Sequence, residues 1–492
     1  MKPPRPHIIL LLSDEHRGQA MSHADDRNVR TPHMDQLSAE GAGFARAYSN
    51  CPVCTPSRGT IFSGRHAHSG PVAGFFDHYK AAFPSIATEL RAAGYRTAYM
   101  GKWHCGVVPD QLPPGVRANP EDFQGGVRTR TPDYYRAGFQ DWLGFENLNQ
   151  HFTGTVYRDD AVEPERLEGF ETDALTDHAI AYLEAYKRDE PLFLTVSVTP
   201  PHFPMAVPEK WRRLDPDTLD VPGNFMKWKG QPTGTAYNGA GEGADEAEVR
   251  HHLADYYAMI ENLDANLGRL RAAIADNPRF TGGNTIFIYV SDHGDFMGSH
   301  GYYFEKKHPH EESVRIPALF ARPGHIAADA PLPGLFGLVD LAPTLLGLAG
   351  LASPEWMQGA DWSPVLTGQA VAPPVDHQLL EMVGVPGWCL DHHEWRGLVT
   401  ERWKYAFFET GQEILFDLEN DPDELDNLAV RSPELLPSWR ERLLAALAAA
   451  REPSFDVIMR HAVPHDGTLI NVSRNNYRVF PWPDDKLRQM GG

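Results

Sequence analysis

Residues 7–16 read HIILLLSDEH: an unbroken apolar run from Ile8 to Leu12 that stops at Ser13, Asp14, Glu15 and His16. A run this short, apolar on both sides of the chain, fits a central strand of a parallel sheet buried on both faces, with its C-terminal end opening onto polar residues. It is too short for the core of a signal peptide or for a membrane span, and no other window offers the roughly eighteen apolar residues a span requires. With only 4 cysteines in 492 residues, the reading predicts a reducing, cytoplasmic setting without a disulfide framework.

The same unit recurs along the chain. Thr31-Pro32 supplies a cap and a first-turn proline for a helix carried by Met34 and Leu37, which stops near Gly41 and Gly43. Ser85 to Ala93 forms a second helix, followed by a strand at Thr97 to Met100. A third helix, Leu175 to Tyr186, leads into a strand from Leu192 to Val198. In a fourth, Leu253, Tyr257, Ile260, Leu263, Leu267, Leu270 and Ile274 share one face before a strand at Thr285 to Val290. Alternation of this kind predicts an α/β fold: a large, mostly parallel sheet sandwiched by helices. The length exceeds what one core organises, and the texture changes after residue 380. Short strands at Arg396 to Tyr405 and Ala406 to Leu418, turning around Thr410-Gly411, and a helix in Pro433 to Ala450 predict a smaller α+β subdomain over 381–492, beside a catalytic domain over 1–380. The Pro- and Gly-rich stretches 107–140 and 200–245 read as long pocket-forming loops.

Composition narrows the partners. Asp plus Glu (66) outnumber Lys plus Arg (45), giving a net charge of −21, which argues against nucleic acid and against an anionic membrane surface. An anionic substrate would need local cations or a metal. In open parallel sheets ligands bind beyond the carboxyl ends of the strands. Four polar clusters sit there: Ser13-Asp14-Glu15-His16, Gly101-Lys102-Trp103-His104, Thr199-Pro200-Pro201-His202 and Ser291-Asp292-His293-Gly294-Asp295. The turns at Asp14-Glu15 and Asp292-His293 could meet around a hard cation such as Ca²⁺ or Mg²⁺. Read singly, each is more often a turn or a helix cap. His66, His68, Asp77, His78, His300, His392 and His393 fall in loops and read as solvated or locally capping residues as readily as substrate contacts. Trp103 reads as packing.

The cysteines divide. Cys51, Cys105 and Cys389 read as small buried thiols. Cys51-Pro52-Val53-Cys54 has the spacing of a redox pair or half a zinc site, but no second pair exists to complete the latter. Cys54-Thr55-Pro56-Ser57-Arg58, followed by Gly64-Arg65, resembles the signature of the type I sulfatases of the alkaline phosphatase superfamily. The resemblance runs in order through Asp14, the helix Thr31 to Leu37, Lys102-Trp103-His104, Pro201-His202, Ser291 to Gly294, Lys306 to Pro317 and Asp417 to Pro422 with Asn427 to Ala429.

The resemblance implies that a dedicated formylglycine-generating enzyme oxidises Cys54 to an aldehyde whose hydrate is the nucleophile. It further implies that Asp14, Glu15, Asp292 and His293, with residue 54, hold Ca²⁺ (or Mg²⁺ or Mn²⁺), and that Arg58 steadies the nucleophile and the carboxylates. Lys102 and Lys306 would bind sulfate, His202 would protonate the leaving alcohol, and His104 would take a proton from residue 54. Three positions depart from the family pattern: Glu15 where many relatives carry Asp, His293 where some carry Asn, and His310 where an aromatic is usual. Lys306, rather than the adjacent Lys307, is chosen by its spacing to Glu311. The expected activity is hydrolysis of sulfate monoesters of a small alkyl, aryl or sugar alcohol. Its rivals are a phosphonate monoester or phosphodiester hydrolase of the same superfamily and a non-enzymatic metal or redox module built on Cys51 and Cys54.

Overall fold

The computed structural model describes residues 5–75, 77–106, 130–147, 150–225, 246–300, 306–327, 330–383, 394–409 and 411–452. Ile8, Leu10 and Leu12 of the strand His7–Asp14 point to one face of a sheet, and Ile9 and Leu11 to the other, as the two-residue period of a strand requires. Both faces are covered, and for that reason the run carries no polar alternation. The first layer places Ile61 and Phe62 of the helix Cys54–Ser63, Ile86 and Leu90 of Ile86–Ala92, and Leu341 and Leu345 of Leu341–Leu348 over Ile8, Leu10 and Leu12. The opposite layer brings Met34 and Leu37 of Pro32–Glu40, Leu175 and Leu183 of Glu171–Ala185, and Leu263, Leu267 and Leu270 of the 31-residue helix Glu246–Asp276 onto Ile9 and Leu11.

Among the described residues the sheet has ten strands. Five at its centre are parallel, in the order Thr285–Ser291, His7–Asp14, Leu192–Pro201, Arg96–Lys102 and Asp141–Phe145. Antiparallel strands flank them, Thr155–Arg158 on one side and Ala318–Ala321 on the other. The C-terminal ends of the parallel strands lie together on one edge, where the four polar clusters of the sequence therefore converge. Two local devices shape that edge. The register between the first strand and Leu192–Pro201 shifts between Leu12 and Asp14, which re-aims the end of the strand, and Glu15 follows in a left-handed conformation with φ 71°. Gly101 has φ 105°, and a Cβ there would lie 1.8 Å from the carbonyl oxygen of Ser197, so only glycine lets Lys102 follow at the strand end.

The C-terminal unit is a four-stranded antiparallel sheet in the order His377–Met382, Trp395–Thr400, Trp403–Phe408 and Glu413–Asp417, with the helix Leu436–Ala449 against it. The single strand read over Arg396 to Tyr405 is instead the end of one strand and the start of the next. Glu401 and Arg402 make a turn, closed by Trp403 N–H donating to the Thr400 hydroxyl at 2.9 Å. The apolar texture on both sides hid this break. The next turn carries Gly411 at φ 85°, beside residue 410, which lies outside the described residues. Of the long loops, 107–129 and 226–245 lie outside them as well, and the remainder of 200–225 contains the single turns Glu209–Trp211 and Pro216–Thr218. Among the described residues, no helix is long and apolar enough to cross a membrane.

Candidate active site

The helix Cys54–Ser63 begins at the cysteine itself, and all ten of its residues are buried. Its N-terminus is anchored to the end of the strand Thr285–Ser291 by the hydroxyls of Ser49 and Ser57, which donate to the Asp292 carbonyl at 2.6 and 2.7 Å. This fixes the Cys54 Sγ 3.1 Å from His293 Nε2, 3.5 Å from Asp14 Oδ1 and 3.8 Å from Lys306 Nζ. One turn along the helix, the Arg58 guanidinium is fully buried. It donates through Nε to Asp292 Oδ2 (3.0 Å), through Nη1 to the Lys102 carbonyl and the Ser197 hydroxyl (both 2.8 Å), and through Nη2 to Asp14 Oδ2 (3.4 Å). Lys102 Nζ stands 2.5 Å from the same Asp14 oxygen.

The charges act strongly on one another because water is excluded. Burial alone would raise Asp14, but Lys102, His202, Arg58 and His293 hold its carboxyl well below the usual range. Asp292 is raised by burial and by the Asp14 charge beside it. Burial opposes protonation of His293, yet Asp292 lifts it to about 9. Both His104 and His202 are held well below their usual value, by burial and then by Lys102 for the first and Lys306 for the second.

The donor set suits a divalent cation. One ligand atom each of Asp14, Cys54, Asp292 and His293 lies within 4.8 Å of the others, all buried. The mutual repulsion that raises Asp292 is what a cation between the two carboxylates would relieve. Glu15 is placed differently. Its carboxylate belongs to an overlapping group with Asp14 and His202, with Oε1 2.6 Å from Lys306 Nζ and Oε2 3.4 Å from His202 Nε2. His202 Nδ1 donates to the Phe203 carbonyl at 2.8 Å, which leaves Nε2 turned to the site. His104 has φ 52° and lies edge-on to Phe75, with ring centroids 5.2 Å apart. Lys307 also turns left-handed, at φ 85°.

The remaining sequence candidates sit elsewhere. His66 and His68 are not solvated: His68 Nδ1 is 2.7 Å from Glu381 and 3.0 Å from Glu452, and His66 stacks on it. His300 contacts Asn224 and Glu312, Asp77 caps the Ala73 N–H at 2.8 Å, and His78 meets the Tyr135 ring. His392, His393 and Cys389 lie outside the described residues. Trp103 is fully buried among Phe62, Tyr99 and Trp142. Cys51 packs on Ala67 and Val383, and burial pushes its thiol far above the usual value, the opposite of what a redox pair with Cys54 needs. Ser197, Ser49 and Ser57, which hold Arg58 and Asp292, were not singled out from sequence. Ser57 stands inside the Cys54–Arg58 motif, but nothing marked the other two.

The chain is similar to known proteins over most of its length. Residues 6–351 match the family described as Sulfatase, and residues 298–446 match N-sulphoglucosamine sulphohydrolase, C-terminal. An ulvan-active sulfatase of Formosa agariphila is 30% identical over 445 residues, spanning 87% of this chain and 78% of that protein. An N-acetylglucosamine-6-O-sulfatase of Bacteroides thetaiotaomicron is 25% identical over 504 residues, spanning 86% of this chain and 82% of that one. The crystal structure of a proposed sulfatase from Bacteroides fragilis superposes with a TM-score of 0.79 at 26% identity, over 94% of this chain and 99% of that one. A phosphonate monoester hydrolase of Agrobacterium radiobacter shares the fold at a TM-score of 0.71 and 22% identity, over 91% of this chain and 96% of that one. The family match over most of the chain decides the matter: the protein belongs to the type I sulfatases of the alkaline phosphatase superfamily and is a sulfuric ester hydrolase.

Proposed function

We propose that the protein hydrolyses the sulfate ester of a sugar or other small alcohol at residue 54, oxidised to formylglycine, beside a divalent cation held by Asp14, Asp292, His293 and residue 54. The observation that carries this reading is the Cys54 side chain, which opens a buried helix and faces Asp14, His293 and Lys306 at 3.5, 3.1 and 3.8 Å. The sulfur stands where an oxygen of the hydrated aldehyde would be. That hydrate supplies two hydroxyls on one carbon, one to attack sulfur and one whose deprotonation lets sulfate leave. A bound cation, with Ca²⁺ favoured by the carboxylates and Mn²⁺ admitted by the imidazole, would screen the sulfate and acidify a hydroxyl.

The chain's own groups supply the rest. Arg58 donates to both Asp14 and Asp292 and favours their charged forms. Lys306 and Lys102 are the cations available to sulfate oxygens, and Glu15 orients Lys306. His104, held neutral by burial and its cationic neighbours, is suited to accept a proton from residue 54. His202 is suited to protonate the departing alcohol through Nε2, because an anionic sulfate beside Lys306 offsets the charge that depresses the ring. The N-acetylglucosamine-6-O-sulfatase relative supports a sugar as the alcohol.

Two measurements test the reading. The peptide containing residue 54, taken from protein made beside a formylglycine-generating enzyme, should weigh about 18 Da less than its cysteine form. The same protein should turn over 4-nitrophenyl sulfate in preference to 4-nitrophenyl phenylphosphonate, and a preference for the phosphonate sinks the assignment.

A further inference from the structure

His202 sits on the turn that follows the strand Leu192–Pro201; its ring donates to the next residue's carbonyl through Nδ1 and stands 3.4 Å from Glu15 Oε2 through Nε2. What fixes the turn lies behind it. Glu171, the first residue of the helix Glu171–Ala185, accepts the Thr199 N–H at 2.6 Å through Oε1 and donates its own N–H to the His151 carbonyl at 2.7 Å. His151 Nε2 lies 2.9 Å from the His202 carbonyl oxygen. A carbonyl can only accept, so Nε2 carries the hydrogen. His151 Nδ1 stands 3.9 Å from Glu171 Oε2, and His202 N–H closes the turn on the Thr199 carbonyl at 3.0 Å. All three side chains are buried, with 1% of Glu171, 2% of His151 and 5% of His202 exposed, so water does not substitute for these bonds.

We propose that Glu171 and His151 are positioning residues for the leaving-group step: together they clamp both ends of the 199–202 turn and thereby hold the His202 ring toward the departing oxygen. Neither side chain touches the sulfate-binding groups. The inference rests on His202 acting as the acid.

That role makes the test selective, because an acid matters for a poor leaving group and hardly at all for nitrophenolate. His151→Leu, with residue 54 oxidised, is assayed on hexyl sulfate and on 4-nitrophenyl sulfate beside wild type, His151→Gln and His202→Ala. The expected result for His151→Leu is a kcat about 30-fold lower on hexyl sulfate, less than about 3-fold lower on 4-nitrophenyl sulfate, and KM within about 2-fold on both. His151→Gln, whose amide can donate from nearly the same place, should recover most of the loss. Should His151→Leu not fold, Glu171→Gln carries the test on the same ratio of substrates. An equal loss on both substrates, or none on hexyl sulfate, overturns the inference. If His202→Ala is selective and His151→Leu is not, the clamp alone fails. If His202→Ala slows both substrates alike, the acid assignment fails and the clamp with it.

Discussion

Arg58 shows how much one side chain can organise. Its five donors form a rigid fork, and four hydrogen bonds from it reach the Lys102 carbonyl, the Ser197 hydroxyl and the carboxylates of Asp14 and Asp292. Lysine carries the charge but not the fork. Arg58→Lys is expected to lower kcat/KM by about 100-fold or more while the protein still folds, measured with 4-nitrophenyl sulfate. Arg58→Ala strips Asp292 Oδ2 of its guanidinium and leaves Asp14 with Lys102 alone of its two cationic side chains, a breach of a buried charge network that costs about 3–5 kcal/mol. Its denaturant midpoint should therefore fall well below that of the lysine variant, and equal midpoints would show that the guanidinium is not what keeps the carboxylates in place.

At the scale of elements, local signals set some of the helices that flank the sheet and not others: Thr31, read as a cap for Pro32–Glu40, makes no side-chain cap hydrogen bond, whereas Ser85 does for Ile86–Ala92. Ser85 and Thr88 form a reciprocal cap on Ile86–Ala92: the Ser85 hydroxyl accepts the Thr88 N–H at 3.1 Å, and the Thr88 hydroxyl accepts the Ser85 N–H at 2.8 Å. The Ser85 hydroxyl also donates to the Ala137 carbonyl, tying the helix to the next segment. Ser85→Ala removes both bonds of the hydroxyl and should destabilise the chain by about 1–2 kcal/mol in denaturant titration, with kcat unchanged because the partners lost, the Thr88 N–H and the Ala137 carbonyl, are not site groups. A loss of activity without a loss of stability would contradict this division of labour.

At the scale of the whole molecule, the small sheet supports the site on the large one. Trp395 Nε1 donates to the Lys307 carbonyl at 2.7 Å, the Glu311 N–H donates to Glu424 at 2.7 Å, and the fully buried Lys404 ammonium lies 2.8 Å from both Glu311 and Glu424. These contacts brace the segment that presents Lys306. A second lock joins His68, which follows the Cys54 helix, to Glu381 and Glu452, with Arg396 Nε 3.1 Å from Glu452. Burial opposes protonation of His68, but Glu381 and Glu452 raise its pKa above 6.5. Glu381 in turn is lowered to about 2 against the effect of burial, chiefly by His68, so its carboxylate persists at mildly acidic pH. The folded chain therefore binds the His68 proton more tightly than the unfolded one. The stabilisation is full below about pH 6.5 and fades as pH rises through the folded value. The difference in denaturant midpoint between wild type and His68→Gln should be larger at pH 6 than at pH 9. A pH-independent difference would mean that the ring is held neutral.

The sequence by itself determined four of the five central strands, because a strand buried on both faces must be apolar throughout and its end can be read from the first polar residues; it did not mark the fifth, Asp141–Phe145. It also marked Cys54 and placed Asp14, Lys102, His202 and Asp292 at strand ends, since topology brings those ends to one edge. Only the tertiary structure decided which groups face one another. Arg58 and Asp292 are 234 residues apart, and Lys306 and Glu15 are 291 apart. It turned Glu15 toward Lys306 and His202, buried His66 and His68 in a lock between the two sheets, and set His151 and Glu171 behind His202. The physical reason is range: periodicity and capping are written in near neighbours, whereas a buried charge takes its partner from whatever the packed layers bring within a few ångströms.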